Sequence, residues 1–256
     1  MSGEKMRLKD KVTIITGAGQ GIGAAYAHRL AEEGAKVAIA EMNEEKARRV
    51  ANDINVKGYE AFAIKTDVSK EESTIDLARR VREKYGSIDV LINNAAVFST
   101  IRLKQIEDIS IEEWDQLMGV NLRGVFLCSK AVIPYMKAQM RGKIINISSA
   151  RVFMGKPYYI HYVTSKAGMI GFSRALAREL GDWNITVNCI TQGYTKTEIP
   201  RETTTSEQEK AIISHQCIKR VGVPKDLLGI VVFLASNESD FMSGQTVNVD
   251  GGDNFH

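Results

Sequence analysis

The sequence predicts an α/β fold in which a parallel sheet is flanked by helices. Three observations carry that prediction. Short β-branched runs alternate with helical stretches of ten or more residues, an alternation that needs right-handed crossovers and makes neighbouring strands parallel. The first run, 12–16 (VTIIT), enters the glycine-rich turn Gly17-Ala18-Gly19-Gln20-Gly21-Ile22-Gly23 and then a helical pattern. The ends of the predicted strands, where open parallel sheets bind ligands, collect Glu41, Asp67, Asn93, Asn94, Ser148 and Ser149.

Composition narrows the function classes. The 256 residues suffice for one large α/β domain or two small ones, with a substantial core. Lys and Arg number 34 against 31 Asp and Glu, for a net charge of +3. The two signs are interspersed, which argues against a nucleic-acid or acidic-partner surface. Cys128, Cys189 and Cys217 lie far apart, without metal-ligand spacing, and read as reduced thiols. The N-terminus MSGEKMRLKDK lacks the apolar core of a signal peptide, and no run of about 18 uncharged apolar residues occurs. The expectation is a cytoplasmic protein with no membrane, nucleic-acid or metal partner.

Taken in order, the glycine turn would set bare backbone N–H groups and a helix N-terminus against a phosphate. The helix spans about 24–33 and stops at Gly34. Strand two, 36–40, ends at Glu41, about 20 residues past the turn, where a carboxylate can accept hydrogen bonds from an adenosine ribose. It would also repel a 2′-phosphate, and neither Gln20 nor Met42-Asn43 offers a compensating arginine, so NAD is favoured over NADP. A helix from an Asn43 cap to 56, a strand at 60–65 and a capping box at Ser69 heading a helix to 85 follow. Strand four, 88–92, closes on Asn93-Asn94-Ala95-Ala96. A second capping box at Ser110 opens a helical stretch over 111–139, with Pro134 as the expected break. Asn121 lies mid-stretch, a mildly unfavourable place for asparagine. Strand five, 143–147, ends at Ser148-Ser149. A helix from Pro157 to 180 carries Tyr162 and Lys166, four apart and therefore on one face. Strand six, 185–190, a polar segment to about 220 suited to a substrate lid, a helix from Pro224 to 234 and a last strand at 246–249 complete the chain.

Tyr162 and Lys166 suggest chemistry. A phenol ordinarily holds its proton too tightly for exchange near neutrality. A neighbouring ammonium favours the phenolate, as an acid/base catalyst requires. Ser149 could hold a carbonyl or alcohol oxygen against the phenol. His161, next to Tyr162 but about 100° round the helix, reads as structural.

With TGAGQGIG (16–23), DV (67–68), NNAA (93–96), Asn121, Ser149, YVTSK (162–166) and VDGG (249–252), the chain resembles the short-chain dehydrogenase/reductase family from about residue 8 to 252. The resemblance implies a single Rossmann-type domain over 1–256, a doubly wound parallel sheet of about seven strands and a substrate lid at about 195–220. It also implies a homotetramer assembled through the two long helices. It makes Tyr162 the acid/base, Lys166 its modulator and a donor to the nicotinamide ribose, Ser149 the substrate-orienting group and Asn121 the anchor of a water. The cofactor residues it implies are Gly17, Gln20, Gly21, Ile22, Gly23, Glu41, Asp67, Val68, Asn94, Ala95, Tyr162, Lys166, Gly193, Thr195 and Thr197. Two positions depart from the family pattern: Ala96 stands for a usual glycine, displacing the backbone near the nicotinamide, and Gln192 for a usual proline, loosening the segment into the lid.

The activity implied is hydride transfer between NAD and a secondary alcohol or ketone. Ser149, Arg151, Phe153, Tyr159 and Tyr162 are the substrate-binding candidates, beside Val152, Tyr158 and 96–98. That set is mainly apolar and aromatic, which suits a small cyclic or aromatic substrate. Arg151 suits a carboxylate or phosphate, although an ion pair within the protein is the commoner use of such an arginine. Two alternatives stand beside this reading. A 3-oxoacyl-[acyl-carrier-protein] reductase is disfavoured because that branch uses NADPH and usually has a basic residue where Gln20 stands. A non-enzymatic dinucleotide sensor is disfavoured because all four catalytic positions are intact.

Overall fold

The computed structural model describes residues 6–200 and 204–256. Among them, seven strands form one sheet: β1 (Val12–Thr16), β2 (Lys36–Glu41), β3 (Glu60–Lys65), β4 (Val90–Asn93), β5 (Gly142–Ser149), β6 (Ile185–Gln192) and β7 (Thr246–Val249). Their order is 3-2-1-4-5-6-7 and every neighbouring pair is parallel. The helices are α1 (Gly21–Glu32), α2 (Glu44–Val56), α3 (Glu71–Tyr85), α4 (Ile111–Met118), α5 (Gly124–Gln139), α6 (Arg151–Met154), α7 (Ile160–Leu180), α8 (Ser206–His215) and α9 (Lys225–Ala235).

Strand side chains alternate between the two faces. Ile15 and Ile92 pack with Tyr26 of α1, Ile54 of α2 and Val231 of α9. Their neighbours Ile14 and Leu91 face Leu77 of α3, Val132 of α5 and Leu180 of α7 on the other side. Because both faces are covered, β1, β4 and β5 are buried along their whole length, which is why these strands read as continuous rather than alternating apolar runs. The chain reverses its direction of travel across the sheet between β1 and β4. Their carboxyl ends therefore splay into a crevice.

Several local expectations are corrected. Asn43 and Ser110 cap their helices, accepting from Lys46 N at 3.0 Å and Glu113 N at 3.1 Å, but the box expected at Ser110 is half-made, because the Glu113 carboxylate pairs with Lys104 instead. Ser69 does not cap α3, because its hydroxyl is taken by Asp67 Oδ1 at 2.7 Å and Lys70 occupies the cap position. Pro134 lies inside α5 without ending it. Pro134 and Lys130 are both exposed, so water can take the carbonyl that the proline leaves unpaired. The irregularity lies earlier, in a π turn at Gly119–Arg123 that holds Asn121. Pro157 opens no helix. The chain forms α6, closes it at Gly155 with φ 61°, passes Tyr158 at φ 65° and enters α7 only at Ile160.

β5 and β6 run two residues past their apolar segments, pairing Ser148 with Thr191 and Ser149 with Gln192. Gln192 pairs on its other side with Val249, so the sheet continues through the position where the family usually has proline. The helical run Ile111–Gln139 is the one stretch among the described residues long and apolar enough to cross a membrane. Here it packs into the domain, with α5 against α3 and α4 against α7. Of the expected lid, residues 201–203 lie outside the described residues. The remainder contains α8, headed by a capping box between Thr205 and Gln208.

Candidate active site

The crevice between β1 and β4 is held by a hydrogen-bond clamp. Thr16 Oγ1 accepts from the N–H groups of Asn94 and Ala95 at 3.0 Å, and Asn94 Nδ2 donates to the carbonyls of Thr16 and Gly17 at 3.0 Å. This tight closure explains two of the glycines. A Cβ on Gly17, which sits at φ 63°, would come within 2.8 Å of Ala95 Cα, and one on Gly23 within 2.3 Å of the Gly17 carbonyl.

The cleft above the clamp has a volume of about 370 Å³. Gly17, Gln20, Ile22 and Gly23 of the turn line it, with Glu41 after β2, Asp67 and Val68 after β3, Asn94 and Ala95 after β4, and Thr197 opposite. Ala96 is part of the same wall. Glu41 is held in place by Gly19 N (3.2 Å) and Asn43 N (3.1 Å). Asp67 Oδ1 accepts from Ser69 N at 2.9 Å as well as from the Ser69 hydroxyl.

Besides Tyr162 and Lys166, two expected cofactor residues lie elsewhere. Gly193 lines the neighbouring pocket that holds Tyr162. Thr195 is buried, with its hydroxyl on the Gly193 carbonyl at 3.3 Å, and lines a separate cavity beside Gln216 and Asp226. A third, Gly21, has its N–H already bonded to Glu198 Oε1 at 2.7 Å. Lys46 went unrecognised in the sequence: its Nζ donates to Gln20 Oε1 at 2.6 Å. Its signal was position, in the first turn of a helix that starts just after Glu41.

Tyr162 and Ser149 share a narrow pocket of about 40 Å³ with Phe98, Gln192 and Gly193. Both are nearly buried. Phe98 packs on the Tyr162 ring at 4.8 Å between centroids, and Tyr159 lies 6.2 Å away. Lys166 is wholly buried behind this pocket. Its Nζ donates to the Ile147 carbonyl at 2.7 Å and lies 5.8 Å from the centre of the Tyr162 ring. Burial pulls its pKa down to about 8, and the nearby Cys189 thiol works weakly the other way. That thiol is itself pushed up to about 11 by burial, so it supplies no countercharge near neutrality.

Asn121 is fully buried and bridges two elements. Its amide exchanges hydrogen bonds with the Val97 backbone (2.7 and 3.2 Å) and donates to Ser165 Oγ at 3.3 Å, whose hydroxyl donates to the Tyr162 carbonyl at 2.8 Å. The π turn thus places Asn121 between the end of β4 and the helix that carries Tyr162, as such turns often do at functional sites.

Gln192 stands in the wall between the pocket and the cleft, its Oε1 buried and without a hydrogen-bond partner among the described residues. A wider cleft of about 410 Å³ adjoins the pocket, sharing Arg151, Tyr159 and Thr204 with it. Phe153 lines neither, because its ring stacks on His256 at 4.1 Å. Tyr158 is half-exposed and His161 is wholly buried, 3.5 Å from Glu113 Oε1.

A seven-stranded parallel sheet with a glycine turn at its switch point and a Ser-Tyr-Lys-Asn group beside it defines a class, and residues 17–254 match the family model described as "Enoyl-(Acyl carrier protein) reductase". The chain belongs to the short-chain dehydrogenase/reductase family and is an oxidoreductase of that family. Particular relatives include the 3-oxoacyl-[acyl-carrier-protein] reductase FabG of Staphylococcus epidermidis, 36% identical over 95% of this chain and 98% of its own. FabG of Thermotoga maritima is 36% identical over 96% and 99% of the two chains. A solved structure from Sinorhizobium meliloti 1021, assigned to the short-chain alcohol dehydrogenases, superposes with a TM-score of 0.92 at 31% identity and 98% coverage of both chains.

The Glu198 contact has a measurable consequence. A carboxylate on the N–H of a glycine turn occupies an anion position at the head of α1 and repels a second anion there. Glu198→Gln is expected to tighten binding of a nicotinamide dinucleotide roughly three- to tenfold, the equivalent of about 1 kcal/mol. Titration of nicotinamide fluorescence checks this, and unchanged or weaker binding would show that the carboxylate does not compete with the dinucleotide.

Proposed function

We propose that the protein transfers a hydride between NAD(H) and a small secondary alcohol or ketone, cyclic or aromatic. The observation that carries this reading is the pocket holding Ser149 and Tyr162, backed by Lys166 and walled from the glycine-turn cleft by Gln192. The cleft fits a dinucleotide, since its floor is a turn that no Cβ could enter and a carboxylate stands at its far end. The glycine turn would hold the pyrophosphate, Glu41 the adenosine ribose, Asp67 and Val68 the adenine, and Lys166 the nicotinamide ribose. When bound, the nicotinamide supplies the hydride acceptor or donor.

The chain's own residues manage the proton. Ser149 Oγ holds the substrate oxygen at Tyr162. In oxidation the Tyr162 phenolate takes the alcohol proton, and in reduction the phenol returns it to the forming alkoxide. The Lys166 ammonium offsets the phenolate charge. Asn121 fixes the end of β4 against α7 and so sets the spacing between cleft and phenol. Phe98 and Tyr159 exclude water from the pocket, which strengthens each of these electrostatic interactions.

For the cofactor, Glu41 supports NAD by repelling a 2′-phosphate. The ratio of kcat/KM with NAD to that with NADP is expected to exceed about ten, a charge repulsion of about 1.4 kcal/mol. A preference for NADP would overturn the role given to Glu41 and assign Lys46 the opposite one.

The 36% identity to the two FabG relatives supports a second reading, reduction of a 3-oxoacyl thioester on a carrier protein. A panel of cyclic secondary alcohols and an acetoacetyl thioester, followed by nicotinamide absorbance with both cofactors, separates the two. Turnover of the thioester alone would replace the first reading with the second. We further propose a cytoplasmic homotetramer built on the long helices, which sedimentation of the purified protein tests.

A further inference from the structure

The wide cleft beside the Tyr162 pocket has a charge pattern that the alcohol-dehydrogenase reading does not need. Arg151 lies two residues past Ser149 and is tied to it, its backbone N–H donating to Ser149 Oγ at 3.3 Å. Its guanidinium makes a single side-chain hydrogen bond, to Met154 Sδ at 3.3 Å, and no salt bridge among the described residues. At the end of the expected lid, by contrast, Arg220 is paired with both oxygens of Asp226 at 2.6–2.7 Å. Most of Arg151's five donors are therefore unused, in a planar fork that matches a carboxylate or phosphate. It borders both the narrow pocket and the wide cleft.

Two more basic groups face the wide cleft, Lys156 from the turn after α6 and His215 at the end of α8. Neither forms an ion pair among the described residues. Asp253 is the one carboxylate on the wall among the described residues, and its Oδ1 is buried without a partner among them. The rest of the wall includes Leu103, Met154 and Ile212. An apolar chamber with a cationic rim, opening onto a phenol and a serine hydroxyl, describes a ligand with an apolar body, a reacting oxygen and a negative group apart from it.

We propose that the substrate is an anionic secondary alcohol or its ketone, whose carboxylate or phosphate is received by Arg151 with Lys156 and His215 alongside. This rests on the oxidoreductase reading above and names its substrate class. Arg151 is adjacent to the substrate-orienting serine, so an anion held there fixes how far the reacting carbon lies from its charged end.

The test compares three substrates of one shape: 3-hydroxycyclohexane-1-carboxylate, its neutral carboxamide and 3-hydroxycyclohexyl phosphate. One or both anions should exceed the carboxamide in kcat/KM by at least about tenfold, and which one does so identifies the anion. In Arg151→Gln that ratio should fall toward one, and in Lys156→Gln by a smaller factor. Circular dichroism and Tm establish that each variant is folded.

Calorimetric binding of cyclohexanecarboxylate and cyclohexyl phosphate to the NADH complex gives a readout independent of turnover. It should weaken about tenfold in Arg151→Gln and with added salt. Equal turnover of amide and anions, or anion binding indifferent to Arg151, overturns the proposal. Oxidation of the amide alone would do so while leaving the dehydrogenase reading intact. Arg151-dependent anion binding with no turnover of any of the three would uphold the anion site and remove the dehydrogenase reading instead.

Discussion

Tyr162→Phe is expected to lower kcat by about 10²–10⁴-fold, the usual contribution of a positioned acid/base, while the Kd for NADH stays within about threefold. The substitution removes one oxygen and keeps the ring that packs on Phe98 at 4.8 Å, so neither the pocket's shape nor its hydrophobic closure changes. Stopped-flow turnover with a cyclic secondary alcohol and fluorescence titration with NADH measure the two quantities. Activity within tenfold of wild type would remove Tyr162 from the proton transfer. Parallel loss of cofactor binding would mark it as a structural residue.

Lys166→Met is the second large effect, and it moves activity and stability in opposite directions. The Lys166 ammonium is wholly buried with the Ile147 carbonyl as its one oxygen partner among the described residues, and burial lowers its pKa to about 8. In the unfolded chain a lysine titrates near 10.4. Between about pH 8 and 10.5 the unfolded chain therefore holds a proton that the folded chain has released, and wild-type stability rises with pH across that window. Below pH 8 the fold carries the full penalty of the charge, about 3 kcal/mol.

Methionine has a similar length and no charge. After allowance for the lost Ile147 hydrogen bond, the variant should be more stable than wild type at pH 7 by about 2 kcal/mol. That advantage should shrink as the pH approaches 10. Activity should meanwhile fall by about 10² or more, because the phenolate loses its countercharge. Urea denaturation at several pH values checks the sign. A stability difference independent of pH would mean that the lysine is not carrying a buried charge.

Most of this molecule was readable in its sequence for a simple reason: the informative features are local. A β-branched run entering Gly17–Gly23 can do little except turn sharply into a helix, and an acidic residue ending the second strand must arrive at the same edge. The four-residue spacing of Tyr162 and Lys166 survived even though the helix begins at Ile160 and not at Pro157, because i and i+4 share a face wherever the helix starts. The errors share a cause too. Their own propensities make Ser69 a cap and Pro134 a break. Contacts settled them otherwise, the Asp67 carboxylate in one case and solvent access to the freed Lys130 carbonyl in the other.

By itself, then, the sequence determined the alternation of strands and helices, the edge at which polar groups collect and the shared helix face of Tyr162 and Lys166. Tertiary structure decided which groups meet across the chain. It brought Glu198 to Gly21 across 177 positions, Lys46 to Gln20, and Asn121 to Val97. It also turned Phe153 toward His256 and left Arg151 without an acid. A helix or strand is dictated by neighbours a few residues away, whereas the partner of a charge depends on how distant segments fold back together, and no spacing along the chain encodes that distance.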